Sequence, residues 1–267
     1  MNGKYQTALV RRLSQVAAGT FQLDLETAIS DHVQPGQFVL LQPLAETSLL
    51  PRPFTVYFAQ QGIFIRLVFE ARGSNTRLYS QLKSGDKIRV LGPCGQPAVI
   101  DDSARLAIFI GGGCGLASLH WLAFAAGQKK IGLLCAAGFR DKDHVFSTKD
   151  FDRLGTPLEV ATDDGSFGVS GTAVDLFQNI IFGEDGLPKN ESIRVFTCGP
   201  TVMMREIARI TRAEGIPCYV FLEEMMACGL GDCKSCAVRT NSGIKHVCKD
   251  GPIFESKEVI WDEDDEY

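Results

Sequence analysis

The sequence predicts a multi-domain chain in three parts: an N-terminal antiparallel β-barrel, a central α/β domain on a parallel sheet, and a small C-terminal unit organised by cysteines. Three observations predict it. Short strand-like runs broken by Gly and Pro fill residues 1–100. Apolar runs alternate with helical patterns across residues 101–220. Four of the nine cysteines then crowd into the last segment, 221–267.

The barrel rests on turn-bounded strands. Gly36–Gln42 follows a Pro-Gly turn, and Arg52–Phe58 follows Pro51. Phe64–Phe69 alternates apolar and polar residues, and Asp86–Leu91 follows Ser84-Gly85. Short strands at this spacing favour a closed antiparallel sheet. From about residue 104 the pattern changes. Leu106–Ile110 and Ile131–Ala136 are continuous apolar runs, as expected of strands buried on both faces. Leu158–Thr162 and Arg194–Cys198 are further strand candidates. Between the strands fall a helical stretch to Ala126, a helix over Thr172–Phe182, and another over Thr201–Glu214 that Gly215 and Pro217 stop. Strands alternating with helices imply a parallel sheet.

The cysteine pattern is Cys228-x4-Cys233-x2-Cys236-x11-Cys248. Disulfides are rare in a reducing compartment, so such crowding argues for metal. The C-x4-C-x2-C core is the spacing of plant-type [2Fe–2S] sites. Gly229, Gly231 and Asp232 let the backbone wrap closely and offer amides to sulfur. Asn241-Ser242-Gly243, between Ala237–Thr240 and Ile244–Val247, reads as a hairpin that returns Cys248 beside Cys236. A four-cysteine zinc site and four unligated core thiols are the competing readings; zinc favours paired C-x2-C units, and here there is one. His246 reads as a solvent-facing strand residue.

Gly111, Gly112, Gly113 and Gly115 follow the first buried strand and open a helix. That order suits a pyrophosphate at a helix N-terminus, although glycines also permit tight strand–helix packing. No acidic residue closes the second strand. Arg140 and Lys142 lie just beyond it, either to meet a 2′-phosphate or to face solvent, so NADH against NADPH stays open.

In this order the motifs resemble those of the ferredoxin–NADP reductase superfamily, and within it the dihydroorotate dehydrogenase electron-transfer subunits. Pro51-Arg52-Pro53-Phe54-Thr55 is similar to the superfamily's flavin motif. The resemblance implies FAD, bound by Arg52, Pro53, Phe54 and Thr55, with Arg52 at its pyrophosphate and Phe54 and Thr55 at the flavin ring. Gly73-Ser74-Asn75-Thr76 is similar to a second phosphate-binding turn, and Leu91–Gly95 to the end of the barrel. Gly111–Leu119 resembles the NAD(P)(H) turn, Thr162–Gly168 with Asp163 the loop beside the nucleotide, and Cys198-Gly199-Pro200 the turn near the nicotinamide. Cys198 is then the candidate catalytic residue, polarising or packing the nicotinamide; a buried structural thiol is the other reading. Leu222–Gly229 and Val247–Pro252 resemble the segments that enclose the family's cluster on Cys228, Cys233, Cys236 and Cys248. Cys94 and Cys114 depart from the family pattern and read as small core residues.

The resemblance implies an NAD(P)H-dependent flavin and iron–sulfur oxidoreductase of pyrimidine biosynthesis, relaying electrons to or from a catalytic oxidoreductase subunit in a hetero-oligomer. A stand-alone ferredoxin reductase, or a subunit of a transhydrogenase or sulfide dehydrogenase, is the alternative, with ferredoxin as partner. A redox-sensing or zinc-stabilised binding protein without turnover is the alternative from another class. The composition narrows the rest. Net charge is −5, with no basic stripe for nucleic acid. The acidic run Asp262–Glu266 reads as a solvated end. No apolar run approaches the roughly 20 residues of a membrane span, and the N-terminus lacks a secretory pattern, so a cytoplasmic protein is expected.

Overall fold

The computed structural model describes residues 5–44, 50–183, 187 and 192–261. The acidic run Asp262–Glu266 therefore lies outside the described residues. The chain forms two compact units. The first runs to Ala98 and takes in Leu222–Val238 and Gly243–Ile253. The second comprises Val99–Phe221, Arg239–Ser242 and the chain from Phe254 onward.

The first unit is built on β1 (Gln6–Ala17), β2 (Thr20–Glu26), β3 (Phe38–Gln42), β4 (Arg52–Gln60), β5 (Phe64–Glu70), the short helix α1 (Ser74–Tyr79) and β6 (Lys87–Cys94). Its strands close into a barrel in the order β1-β2-β5-β4-β3-β6. Inward-facing Ala8, Val10, Leu23, Leu25, Leu40, Ile65, Leu67 and Val90 are wholly buried. The sequence does not advertise β1, for a physical reason. Its register shifts between Val10 and Arg12 and again between Gln15 and Ala17, so the two-residue alternation is broken twice.

The second unit carries β7 (Leu106–Gly112), α2 (Leu116–Gln128), β8 (Gly132–Phe139), α3 (Thr148–Asp152), β9 (Leu158–Thr162), β10 (Val169–Ser170), α4 (Ala173–Phe182), β11 (Ile193–Cys198), α5 (Thr201–Ala213) and β12 (Cys218–Phe221). The expected helices and buried strands fall within a few residues of these bounds. Strands β13 (Ala237–Thr240) and β14 (Gly243–His246) form a hairpin, followed by α6 (Val247–Asp250) and β15 (Ile253–Glu255). The large sheet runs β10-β9-β8-β7-β11-β12-β15, and its pairs from β10 to β12 are parallel. Strand β7 is wholly buried, as its apolar run requires. Phe109 stacks on Phe196 at 5.2 Å, and Phe196 on Tyr219 at 5.1 Å, tying β7, β11 and β12 together. Helix α4 starts on a reciprocal cap between Thr172 and Asp175. Helix α5 buries Met203, Met204, Ile207 and Ile210, and carries the Arg209–Glu206 ion pair.

This strand order decides where a ligand can bind. The chain leaves β7 toward β8 on one side, and β11 enters on the other. The crevice at the carboxyl ends of β7 and β11 is therefore a topological switch point.

Candidate cluster, flavin and nucleotide sites

The hairpin returns the fourth cysteine as its spacing required. The Val247 amide donates to the Cys236 carbonyl at 2.9 Å, and the Cys248 amide to Cys236 Sγ at 3.4 Å. At the other end, the amides of Leu230 and Cys233 both donate to Cys228 Sγ at 3.4 Å. Gly229, Gly231 and Lys234 hold φ of +69°, +89° and +60°, the left-handed turns that wrap the loop around its thiols. Backbone amides thus link the ligands two by two, Cys233 to Cys228 Sγ and Cys248 to Cys236 Sγ. Cys236 and Cys248 are buried, and Cys233 is exposed. Among the described residues no three His, Cys, Asp or Glu side chains converge on one ion. A two-iron cluster takes two thiolates on each iron. The donor set fits [2Fe–2S].

The two pairs differ electrostatically. The hydroxyl and amide of Ser235 bring the Cys233 thiol down to about 6. Burial, followed by the neighbouring Cys236, pushes Cys248 up to about 12. Ser235 sits 3.2 Å from Cys233 Sγ, and sequence reasoning missed it. Its signal was its place between two ligands, one residue before Cys236. His246 is only 18% exposed in its side chain, with Nδ1 3.8 Å from Asp250 Oδ2, so it does not face solvent as expected.

The cluster segment is seated on the barrel. A Cβ on Gly229 would lie 2.5 Å from Leu40 Cδ1 and 3.4 Å from Cys94 Sγ, so only glycine lets the loop come this close. Cys94 is a buried residue, as expected, and burial followed by the charge of Cys228 raises it to about 12. The Gly95 amide donates to the Cys248 carbonyl at 3.1 Å. Gln96 donates to the Gly251 carbonyl through its amide at 2.6 Å, and to the Lys249 carbonyl through Nε2 at 2.8 Å.

The flavin motif occupies the start of β4, where Arg52, Pro53, Phe54 and Thr55 pair with Leu41, Leu40, Val39 and Phe38 of β3. Arg52 Nη1 donates to the Leu50 carbonyl at 3.2 Å and the Pro51 carbonyl at 3.1 Å. Asn75 Nδ2 donates to the same Leu50 carbonyl at 3.2 Å. The two flavin-related motifs, distant in sequence, thus meet at one carbonyl. Gly73 and Ser74 open α1, where Thr76 Oγ1 accepts the Gly73 amide at 3.0 Å. Phe54 packs edge-on against Phe69 at 5.6 Å and Tyr79 at 5.9 Å. Tyr79 donates its hydroxyl to the Leu41 carbonyl at 3.0 Å, and burial pushes it well up against the opposing charge of Arg52. One cation, a helix start and an aromatic wall fit a flavin dinucleotide.

The switch-point crevice gathers the third set. Gly111 is in register with Cys198. A Cβ on Gly115 would fall 2.5 Å from the Cys198 carbonyl, and one on Gly112 2.6 Å from Met203 Sδ and 2.7 Å from Pro200 Cδ. Gly199 is held equally tightly, with Met203 Cε at 2.6 Å from its Cβ position. These glycines serve packing. Gly113 differs: its φ is +52° and nothing lies within 4 Å of its Cβ position, so the turn opens there. Cys198 is 1% exposed at the end of β11. Cys114 is half-buried in the turn, not the core residue expected. Asp163 is exposed beyond β9, its amide donating to the Phe139 carbonyl at 3.0 Å. Beyond β8, Asp141 Oδ1 lies 2.6 Å from His144 Nδ1, and Arg140 Nη2 lies 2.7 Å from His144 Nε2. His144 chiefly, with Arg140, holds Asp141 down at about 2.

Residues 223–260 match the family model for the iron–sulfur cluster binding domain of dihydroorotate dehydrogenase B. The dihydroorotate dehydrogenase B (NAD(+)) electron transfer subunit of Desulforamulus reducens is 31% identical over 264 residues, covering 96% of this chain and 98% of that one. The same-named subunit of Clostridium acetobutylicum is 31% identical over 261 residues, covering 97% and 99%. Among solved structures, an NADH-dependent reduced ferredoxin–NADP oxidoreductase described for flavin-based electron bifurcation superposes with a TM-score of 0.86 at 29% identity, covering 98% of this chain and 92% of that one. A ferredoxin NADP+ reductase from Neisseria gonorrhoeae, at 15% identity and a TM-score of 0.69, shares the fold. With this architecture, a four-cysteine site and full-length likeness together, the chain belongs to the dihydroorotate dehydrogenase B electron transfer subunit family.

Proposed function

We propose that this chain relays electrons between a nicotinamide nucleotide, FAD and a [2Fe–2S] cluster, on behalf of a catalytic subunit that oxidises dihydroorotate. The observation that carries the reading is the set of four cysteine thiols, wrapped by amides and seated through Gly229 on Leu40 of β3, the strand that pairs with the flavin motif on β4. A bound flavin exchanges a hydride with the nucleotide and single electrons with the cluster, chemistry that belongs to the cofactors.

The chain's own residues bind and orient. Arg52 offers fixed positive charge to the FAD pyrophosphate, and the start of α1 with Gly73, Ser74, Asn75 and Thr76 supplies amides and hydroxyls. Pro53, Phe54 and Thr55 meet the ring system, with Phe69 and Tyr79 packed behind Phe54. The open amides at Gly113, with Gly111, Gly112 and Gly115 allowing close approach, receive the nicotinamide dinucleotide, which the relatives' name gives as NAD(+). Asp163 borders it, while Cys198, Gly199 and Pro200 form the wall beside the nicotinamide. Cys228, Cys233, Cys236 and Cys248 hold the iron. The working compartment is the cytoplasm; among the described residues no helix is long and apolar enough to cross a membrane.

An anaerobic titration tests the reading. NADH added to protein isolated with its partner should bleach the flavin and generate the EPR signal of a reduced [2Fe–2S] cluster, and dihydroorotate should do the same through the partner. A bleached flavin without a paramagnetic cluster would overturn the relay. A second reading has one specific support, the likeness to the ferredoxin–NADP oxidoreductase. Under it, reduced ferredoxin would replace dihydroorotate as the electron source, and the native partner would show no dihydroorotate oxidation.

A further inference from the structure

In the cluster loop one serine hydroxyl lies against a ligand sulfur. Ser235 lies between the ligands Cys233 and Cys236, and its hydroxyl is 3.2 Å from Cys233 Sγ and 3.2 Å from the Met225 carbonyl. The backbone has been bent to put it there, because Lys234, a residue with a full side chain, holds φ +60°. That conformation is unfavourable for a residue with a Cβ. In this turn the hydroxyl of Ser235 lies against the Cys233 sulfur.

The hydroxyl has a single proton and two acceptors. In the free thiol form, Cys233 can donate to Ser235 Oγ while Ser235 donates to Met225. Once Cys233 is an iron-bound thiolate its sulfur can only accept, so the proton has to choose between a neutral carbonyl and an anionic sulfur. Charge-assisted hydrogen bonds are about twice as strong as neutral ones, so the sulfur is favoured. One-electron reduction, iron(III) to iron(II), adds negative charge to the site and strengthens that preference. Hydrogen bonds to ligand sulfur raise a cluster's reduction potential by stabilising the reduced form.

We propose that Ser235 is a positioning residue for electron transfer: its hydroxyl donates to the Cys233 thiolate and sets the reduction potential of the half of the cluster held by Cys228 and Cys233. The assignment rests on the four cysteines holding a [2Fe–2S] cluster. The Met225 carbonyl is the resting acceptor that the proton leaves, on a residue that is 81% exposed.

The test is an EPR-monitored redox titration of the loaded protein and its Ser235→Ala, Ser235→Gly and Ser235→Thr variants. The expected result is a tenfold shift of the one-electron equilibrium toward the oxidised form in the Ala and Gly variants, a fall of about 59 mV in midpoint. Ser235→Thr, which keeps the hydroxyl, should restore most of it. An unchanged midpoint in Ser235→Ala would overturn the proposal, and so would a fall of equal size in Ser235→Thr. Loss of the cluster from both deletion variants would make the hydroxyl an assembly element and overturn the assignment too. Absence of any [2Fe–2S] signal from the unaltered protein would instead sink the cluster reading beneath it, so the two failures are distinguishable.

Discussion

At the scale of single residues, the cluster loop is governed by contacts too short for a side chain. Gly229 combines φ +69° with a Cβ position 2.5 Å from Leu40 Cδ1. Gly229→Ala therefore adds left-handed strain and a steric overlap, each worth about 1–3 kcal/mol. We expect it to lower iron content per chain at least severalfold, read by iron analysis, while far-UV circular dichroism stays that of the native fold. Full iron content in Gly229→Ala would mean that the loop is not seated on Leu40 as described. The thiols were legible as ligands because four cysteines at C-x4-C-x2-C spacing have few other uses. Ser235 was legible only as a residue between two ligands; that its hydroxyl meets the Cys233 sulfur appears only in the fold.

At the scale of elements, the end of β6 and the cluster segment share a short backbone ladder. The Gly95 and Gln96 amides reach the carbonyls of Cys248 and Gly251, and Gln96 Nε2 reaches Lys249. Gln96→Ala removes one exposed side-chain bond and should cost about 0.5–1.5 kcal/mol. Gly95→Ala should cost more, since its Cβ would sit 2.8 Å from the Gly251 carbonyl at φ +76°. Urea titrations of the two variants would rank them, and the reverse order would remove the argument. The loop after β8 makes a pH prediction. Asp141 is held at about 2, below its ordinary 3.8, first by His144. A depressed carboxyl stabilises the fold above 3.8, and that contribution is lost as the pH falls through about 2. The melting-temperature gap between the unaltered protein and Asp141→Asn should thus be full above the ordinary carboxylate range and close toward pH 2. A gap independent of pH would show that the His144 contact adds nothing to stability.

At the scale of the whole molecule, function depends on sites that are separate in sequence and separable by mutation. The flavin motif is held by the barrel ladder and by the Leu50 carbonyl. Cys236→Ser should consequently abolish the cluster and leave FAD bound. NADH should still bleach the flavin in stopped-flow absorbance, while electron delivery to the partner falls at least a hundredfold. Loss of FAD together with the cluster would show that the two sites fold as one.

The sequence by itself determined the local chemistry. The apolar runs of β7 and β8 read as buried strands, Thr172–Phe182 as a helix, and the Asn241-Ser242-Gly243 turn as the return of Cys248 to Cys236. It could not show β1, whose register shifts erase the two-residue period, nor the meeting of Arg52 and Asn75 on Leu50, which depends on how the barrel closes. Tertiary structure alone decided that backbone amides link the cluster ligands two by two, that most of the glycines after β7 serve packing while Gly113 stays open, and that Ser235 faces sulfur. The physical reason is common to all three. Each depends on distances of a few ångströms between segments that only the folded chain brings together, whereas periodicity and spacing report on neighbours along the chain.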